Sequence, residues 1–308
     1  MLAATSRPLG VYGVRSAPDA RHRFITIPWK FNAASSITSG VLMSKGTILV
    51  VGSNATQLEA KTGGTITIGQ MLNETAVPLM VLVAAGYEFL LATPSGEKPH
   101  MDKDSDALLY FANDDAARTR ARDFFNDYPA MNEVRTLRSV IDDGLDRFVG
   151  LFVPGGHAPV VDIMQDPDTR EVLRYFHAHA KPTAAICHGP MGLLAEMDNA
   201  REFRAALIDG DQVKARELAK GWQYAGYQMT VFSRSEEEFA EDNVFKAKLY
   251  FNMPDALEAA GGTVVTTEEN FTSYVVTDRE LITGQNPMSD YELADVFIAA
   301  LDKYSVTS

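Results

Sequence analysis

Short runs of β-branched and aliphatic residues recur along this chain, separated by longer segments of helical periodicity, and that alternation constrains the fold more than any other feature. Two parallel strands can be joined only by a crossover, so repeated alternation builds a parallel sheet with helices on both faces. Strands are expected at Thr47 to Val51, Glu88 to Ala92, Phe148 to Val153, Thr183 to Ile186, Gln228 to Phe232, Thr263 to Thr266 and Tyr274 to Val276, with a last short one at Leu281-Ile282. Helical patterns cover Ile68 to Ala85 (bent at Pro78), Asp115 to Phe125, Asn132 to Asp142, Asp168 to Ala178, Met191 to Glu196, Phe203 to Leu218, Phe245 to Ala260 and Ser289 to Lys303. The expected class is α/β: a doubly wound, mostly parallel sheet sandwiched by helices.

Two segments exceed a minimal plan of this kind. Ser95 to Pro129 is polar and rich in Asp, and Asp198 to Tyr227 has its own amphipathic pattern. Either is placed to cap a pocket or form a subunit contact. Residues 1–42 carry Arg7, Arg15, Arg21, Arg23 and Lys30 against a single acid, Asp19, and lack the apolar run of a secretory signal. They read as a poorly structured extension, with one folded domain over residues 43–308.

Of 308 residues, 46% are hydrophobic and 22% charged, and the formal net charge is -13. Such an acidic balance disfavours nucleic acid and anionic lipid as partners, since both require clustered Lys and Arg. The longest apolar run, near Val77 to Tyr87, falls well short of the roughly 20 residues of a membrane span. One cysteine permits no internal disulfide, which suits a reducing, cytoplasmic setting. Small-molecule chemistry is the expected theme.

That single cysteine, Cys187, lies in Ala185-Ile186-Cys187-His188-Gly189-Pro190, where a strand ends and a helix begins. Ligand crevices of parallel sheets lie at the carboxyl ends of the strands. A thiol there meets backbone N–H groups and a helix N-terminus, which favour the thiolate. His188 is suited to orienting the thiolate or carrying its proton, and Gly189-Pro190 suggests the sharp turn that a neighbouring Cys–His pair needs. The alternative is a buried structural cysteine acting as a small hydrophobe.

Pro154-Gly155-Gly156-His157 leaves the end of another strand, where two glycines let backbone N–H groups approach a developing oxyanion. Glu88 begins an otherwise apolar strand and is a candidate proton carrier beside the thiol, or else a surface glutamate at a strand mouth. Ser235 followed by Glu236, Glu237 and Glu238 reads as a helix cap, one of whose carboxylates could orient His188. His177 and His179 end a helix, and His100 with Asp102, Asp104 and Asp106 reads as a solvated acidic loop. The chain has no Walker loop, no GxGxxG and no zinc-spaced Cys/His set.

Ala84-Ala85-Gly86-Tyr87-Glu88, Pro154-Gly155-Gly156-His157 and Ala185-Ile186-Cys187-His188-Gly189-Pro190, followed by Leu281-Ile282-Thr283-Gly284-Gln285-Asn286-Pro287, stand in an order that resembles the ThiJ/PfpI superfamily. The likeness runs from about Lys45 to Tyr304 and is strongest to the heat-shock chaperone/glyoxalase III (protein deglycase) branch. It implies a flavodoxin-like sandwich, a homodimer, and conversion of methylglyoxal to lactate with no cofactor. Carried over by position, Cys187 matches the nucleophile, His188 its neighbour and Glu88 the glutamate touching the thiol. Glu237, or Glu236, matches the acid of the triad. Gly155, Gly156, His157 and Gly189 match the oxyanion and substrate side. Ala158 departs from the Gly that often follows Gly-Gly-His, and the family's metal-site histidines have no clear counterpart, so no metal is expected.

Amidase, peptidase, deglycase or isonitrile-hydrating chemistry would suit the same pocket. Class I glutamine amidotransferases share the fold but take His and Glu from a late motif, and are disfavoured. A holdase chaperone, with Cys187 as oxidation sensor, is the alternative from another class, and a non-catalytic binding module a third.

Overall fold

The computed structural model describes residues 44–307, so the expected extension over 1–42 lies outside the described residues. Seven strands form the central sheet: β1 Thr47–Val51, β2 Glu88–Thr93, β3 Arg135–Thr136, β4 Phe148–Val153, β5 Thr183–Ile186, β6 Val275–Asp278 and β7 Leu281–Gly284. Their order across the sheet is β6-β7-β5-β4-β1-β2-β3. All neighbours are parallel except the edge pair β6–β7. Leaving out the two edge strands, the five inner strands run in chain order 2-1-3-4-5, the flavodoxin-like arrangement, which reverses direction between β1 and β4.

Alternation within each strand fills two cores. Leu49, Val51, Leu151, Val153 and Ala185 face one helical layer. Ile48, Val50, Phe152, Ala184 and Ile186 face the other, where they meet Leu72, Phe297 and Leu301. Leu72 belongs to helix α1, Leu72–Ala84, and the other two to the C-terminal helix Asp290–Thr307. Helix α1 keeps Pro78 in its interior and starts four residues later than its apolar pattern suggested.

The C-terminal helix lies close enough to β4 to exclude a side chain. A Cβ on Gly150 would stand 2.5 Å from Leu301 Cδ2 and 3.0 Å from Phe297 Cζ. Gly150→Ala is therefore expected to lower stability by about 1–3 kcal/mol, since packed side chains must shift to admit the methyl. A fall in the urea midpoint at unchanged slope checks this.

Several sequence expectations change in the folded chain. Gln228–Met229 and Thr263–Val264 are shorter than expected and pair with each other outside the main sheet. Phe203 to Leu218 is two helices, Ala200–Ile208 and Gln212–Leu218, broken where Gly210 takes a φ of 73°. The residues after Cys187 form a 3-10 helix, Gly189–Glu196, rather than an α-helix. The edge strand β3 and a small hairpin of Gln57–Glu59 with Thr65–Thr67 carried too little apolar pattern to be seen. Among the described residues no helix is long and apolar enough to cross a membrane.

Candidate active site

The carboxyl ends of β4 and β5 open into a cleft close to the point where strand order reverses. Cys187 follows β5 directly and has a φ of 59°, a left-handed conformation uncommon outside glycine. Its N–H donates to Gly284 O at 2.8 Å, and its carbonyl accepts from Phe232 N–H at 3.1 Å. These bonds clamp the strained turn from both sides. Consecutive strand residues would point to opposite faces; reversing the backbone at Cys187 brings its side chain and that of His188 to one side. The sharp turn expected at Gly189-Pro190 thus occurs at Cys187 itself.

Cys187 Sγ lies 3.1 Å from His188 Nδ1, and His188 Nε2 lies 2.8 Å from Glu237 Oε2. Glu237 sits in the helix α2, Arg234–Ala240, whose start is fixed by a capping box of Ser233 and Glu236. The cap belongs to Ser233, two residues before the expected Ser235. Glu236 turns the other way. It accepts from Ser233 N–H, Phe271 N–H, Gln285 Nε2 and Asn286 Nδ2 at 2.7–3.1 Å, so it ties the Leu281–Pro287 segment to α2 and does not reach His188.

Glu237 serves a second histidine. Its other oxygen, Oε1, lies 2.8 Å from His157 Nε2, and the two imidazoles pack at a tilt of 42° with centroids 3.8 Å apart. Phe232 covers His188, and Phe245 stands edge-on to His157 at 4.7 Å. The two histidines hold the Glu237 carboxyl well below the usual carboxylate range despite full burial. Burial lowers the His188 pKa to about 4, so this imidazole is neutral near pH 7.

The glutamate beside the thiol is Glu74, in the first turn of α1, and not Glu88. Glu88 is exposed at the start of β2, the amino end of the sheet, whereas the cleft lies at the carboxyl end. A Cβ on Gly155 would stand 2.1 Å from Glu74 Oε2 and 2.7 Å from Cys187 Cβ, so the carboxyl and the thiol crowd the same spot. Burial pushes Glu74 up to about 8, against a smaller opposing pull from the thiol and the Gly156 N–H. It is a neutral acid at pH 7. The one sequence signal was an acid in a strongly apolar helix start, and an acid in a first turn is ordinarily explained by the helix dipole.

The thiol departs from expectation in the same way. Burial, then the neighbouring Glu74, raise its pKa well above the ordinary value, and the Gly156 N–H pulling it down is a smaller effect. A helix dipole does not offset burial, since only a short 3-10 helix follows. The resting site is a neutral Cys–His–Glu74 set around one carboxylate, Glu237.

Gly156, with a φ of +92°, packs its Cα against Gly69 O and Met71 N, where a Cβ would stand at 2.3 and 2.8 Å. That contact brings its N–H to the thiol and to Glu74. Gly189 begins the 3-10 helix against the carbonyl of Val153. Of the two long insertions, Ser95 to Pro129 supplies Asp102, Asp104 and Tyr110 to the cleft, while Asp198 to Tyr227 supplies no lining residue. The rest of the mouth comes from Phe239, Val244 and Phe245, in a segment not singled out from sequence.

His100 is exposed, Asp102 caps a 3-10 turn through the Asp104 N–H, and Asp106 pairs with Arg118 and Arg122. His177 pairs with Glu280. Among the described residues the one set of three acids or histidines drawn together as metal donors is His157, His188 and Glu237, with donor atoms within 4.8 Å. A cation there would replace both 2.8 Å hydrogen bonds, because each Nε2 already donates its proton to the carboxylate.

Residues 65–206 match the profile of the DJ-1/PfpI family. A relative, the protein/nucleic acid deglycase HchA of Staphylococcus aureus, is 25% identical over 259 residues, covering 82% of this chain and 79% of the relative. Rapid Encystment Protein 24 KDa of Francisella tularensis has the same fold, with a TM-score of 0.62 at 21% identity over 83% of this chain and 99% of that one. Glyoxalase III from Candida albicans superposes with a TM-score of 0.61 at 20% identity, over 83% of this chain and 97% of that one. Both structures share the mostly parallel sheet flanked by helices.

Proposed function

We propose that this protein is a glyoxalase III-like enzyme that converts methylglyoxal and related 2-oxoaldehydes to 2-hydroxy acids, with deglycation of early aldehyde adducts as the same chemistry on a bulkier substrate. The observation that carries this reading is the placing of Cys187 between two neutral proton carriers, His188 and Glu74. The named activities of the deglycase and glyoxalase III relatives support it.

In the proposed route, Cys187 sulfur bonds to the aldehyde carbon as its proton passes to His188 Nδ1, and the Glu237 carboxylate stabilises the imidazolium that forms. The carbonyl electron pair goes to oxygen, which takes the Glu74 proton. Glu74, now a carboxylate, removes the proton from the same carbon and returns it to the neighbouring carbon through an enediol, formed as the hydroxyl proton of the first carbon passes to the oxygen of the second. The product is a thioester of the 2-hydroxy acid on Cys187. Addition of water and loss of sulfur, which recovers its proton from His188, release the acid, whose ionisation returns a proton to Glu74. The residues in this route need no cofactor, and a homodimer in the cytoplasm is the setting we propose.

The route requires neutral His188 and protonated Glu74. His188 is neutral above about pH 4 and Glu74 protonated below about pH 8. kcat/KM for methylglyoxal is therefore expected to follow a bell between those limbs. Glu74→Gln should keep Cys187 alkylation by iodoacetamide yet lower kcat by about a hundredfold or more, since an amide cannot return a proton to carbon. An alkaline limb that persists unmoved in Glu74→Gln would remove Glu74 from this role. Lactate formation by the purified protein, followed by NMR, tests the reading as a whole.

A further inference from the structure

The route above assigns no group to the water that must attack the thioester, and His157 is a buried histidine that the route does not use. Glu237 reaches His157 and His188 with different oxygens, both at 2.8 Å. An ionised carboxylate only accepts, so each Nε2 carries a proton and each Nδ1 of a neutral ring keeps its lone pair. One carboxylate thereby sets both tautomers. His188 Nδ1 faces the thiol at 3.1 Å, while His157 Nδ1 has no hydrogen-bond partner among the described residues, on a ring that lines the cleft.

We propose that His157 is the general base for the hydrolytic half of the reaction. This rests on the glyoxalase III-like reading above. His157 Nδ1 takes a proton from water as the water oxygen bonds to the thioester carbon and the carbonyl pair moves to oxygen. Collapse of that adduct breaks the carbon–sulfur bond, and sulfur takes its proton back from His188 Nδ1. The proton on His157 leaves to solvent, and the product departs as the carboxylate. Two imidazoles on one carboxylate divide the labour: His188 serves the thiol and His157 serves water.

The groups facing His157 fit this assignment. Glu237 and Asp102 supply negative charge that stabilises the imidazolium formed on proton uptake, against the opposing charge of the proton that His188 keeps until sulfur leaves. Asp104 and Tyr110 complete the polar wall of the cleft, and Phe232 and Phe245 close the apolar side of the ring.

The test uses the full chain and its His157→Gln and His157→Asn variants with methylglyoxal. The expected result is a fall in kcat of about a hundredfold, while adduct formation on Cys187, seen by rapid-quench mass spectrometry, keeps its wild-type rate. The adduct accumulates, hydroxylamine cleaves it, and added imidazole restores part of the turnover. Iodoacetamide alkylation of Cys187 stays at the wild-type rate, which shows an intact thiol and fold. If adduct formation and alkylation slow in step with kcat, His157 only positions Glu237 and His188, and the proposal is overturned. Unchanged kcat overturns it too. Absence of lactate and adduct with the wild-type protein overturns the underlying reading instead, and is seen without any variant.

Discussion

Cys187→Ala is expected to consume no methylglyoxal above the uncatalysed background, a loss of at least about ten-thousandfold in kcat. The chain has no second thiol to take over, and neither His188 nor Glu74 is positioned to form the covalent adduct. Because the side chain is buried and small, the variant is expected to stay folded, with a thermal midpoint close to that of the wild type. Following absorbance of the aldehyde and lactate by NMR in parallel separates consumption from conversion. A variant that still turns over at the wild-type rate would refute the cysteine mechanism. The chaperone alternative makes the opposite forecast: Cys187→Ala would suppress aggregation of a heated client as well as the wild type while neither converts methylglyoxal.

Glu237→Gln is the second large effect. The carboxylate accepts from both imidazoles, and an amide cannot, because its NH2 group meets one of the two Nε2–H groups donor to donor. One ring must then flip its tautomer or lose its hydrogen bond. If His188 changes, it presents Nδ1–H to the thiol and can no longer take the thiol proton. We expect a loss of about a thousand- to ten-thousandfold in kcat, in line with tautomer errors in other nucleophile–His–acid sites. Iodoacetamide alkylation of Cys187 should slow as well, which distinguishes this variant from His157→Gln, where it does not. Stability should fall too, with a sign that can be checked. Glu237 is held below its ordinary pKa in the folded chain, so its contribution is present above that ordinary value and is lost as pH falls through it and below. The difference in thermal midpoint between wild type and Glu237→Gln should therefore shrink on acidification.

Four strands whose apolar runs are mostly buried, β1, β2, β4 and β5, were legible within a residue or so of their observed ends. Burial on both faces leaves a continuous β-branched run, which is a strong local signal. The Cys187–His188 pair and the glycines of Gly155-Gly156 were legible for a related reason. Each stands where such a run stops, and at the carboxyl edge of a parallel sheet that place is a cleft. Glu237 was legible as one of three adjacent acids. The choice among them rested on resemblance, and the helix phase of α2 decides it: Glu236 points back to the cap and Glu237 forward to the histidines.

What escaped is a matter of distance in space without a mark in sequence. Glu88 and Glu74 are both lone acids in apolar surroundings, fourteen positions apart. Only the direction of β2 and the placing of the start of α1 against the residues that follow β4 and β5 put one at the far edge of the sheet and the other against the thiol. The protonation states inverted for the same reason. From sequence, the thiol beside a helix start reads as a thiolate; in the fold, complete burial outweighs nearby N–H groups and leaves Cys187 and Glu74 neutral.

The amino-acid sequence by itself determined that this protein is an α/β sandwich with Cys187, His188 and a pair of glycines at the mouth of its sheet. Those are consequences of periodicity and of where strands end, which the chain carries locally. Only the tertiary structure decided that Glu74 partners the thiol, that the turn falls on Cys187, and that one carboxylate fixes two histidines. Each of these depends on groups far apart in sequence meeting where water is excluded, and in that setting burial and charge pairing, not residue type, decide which groups hold a proton.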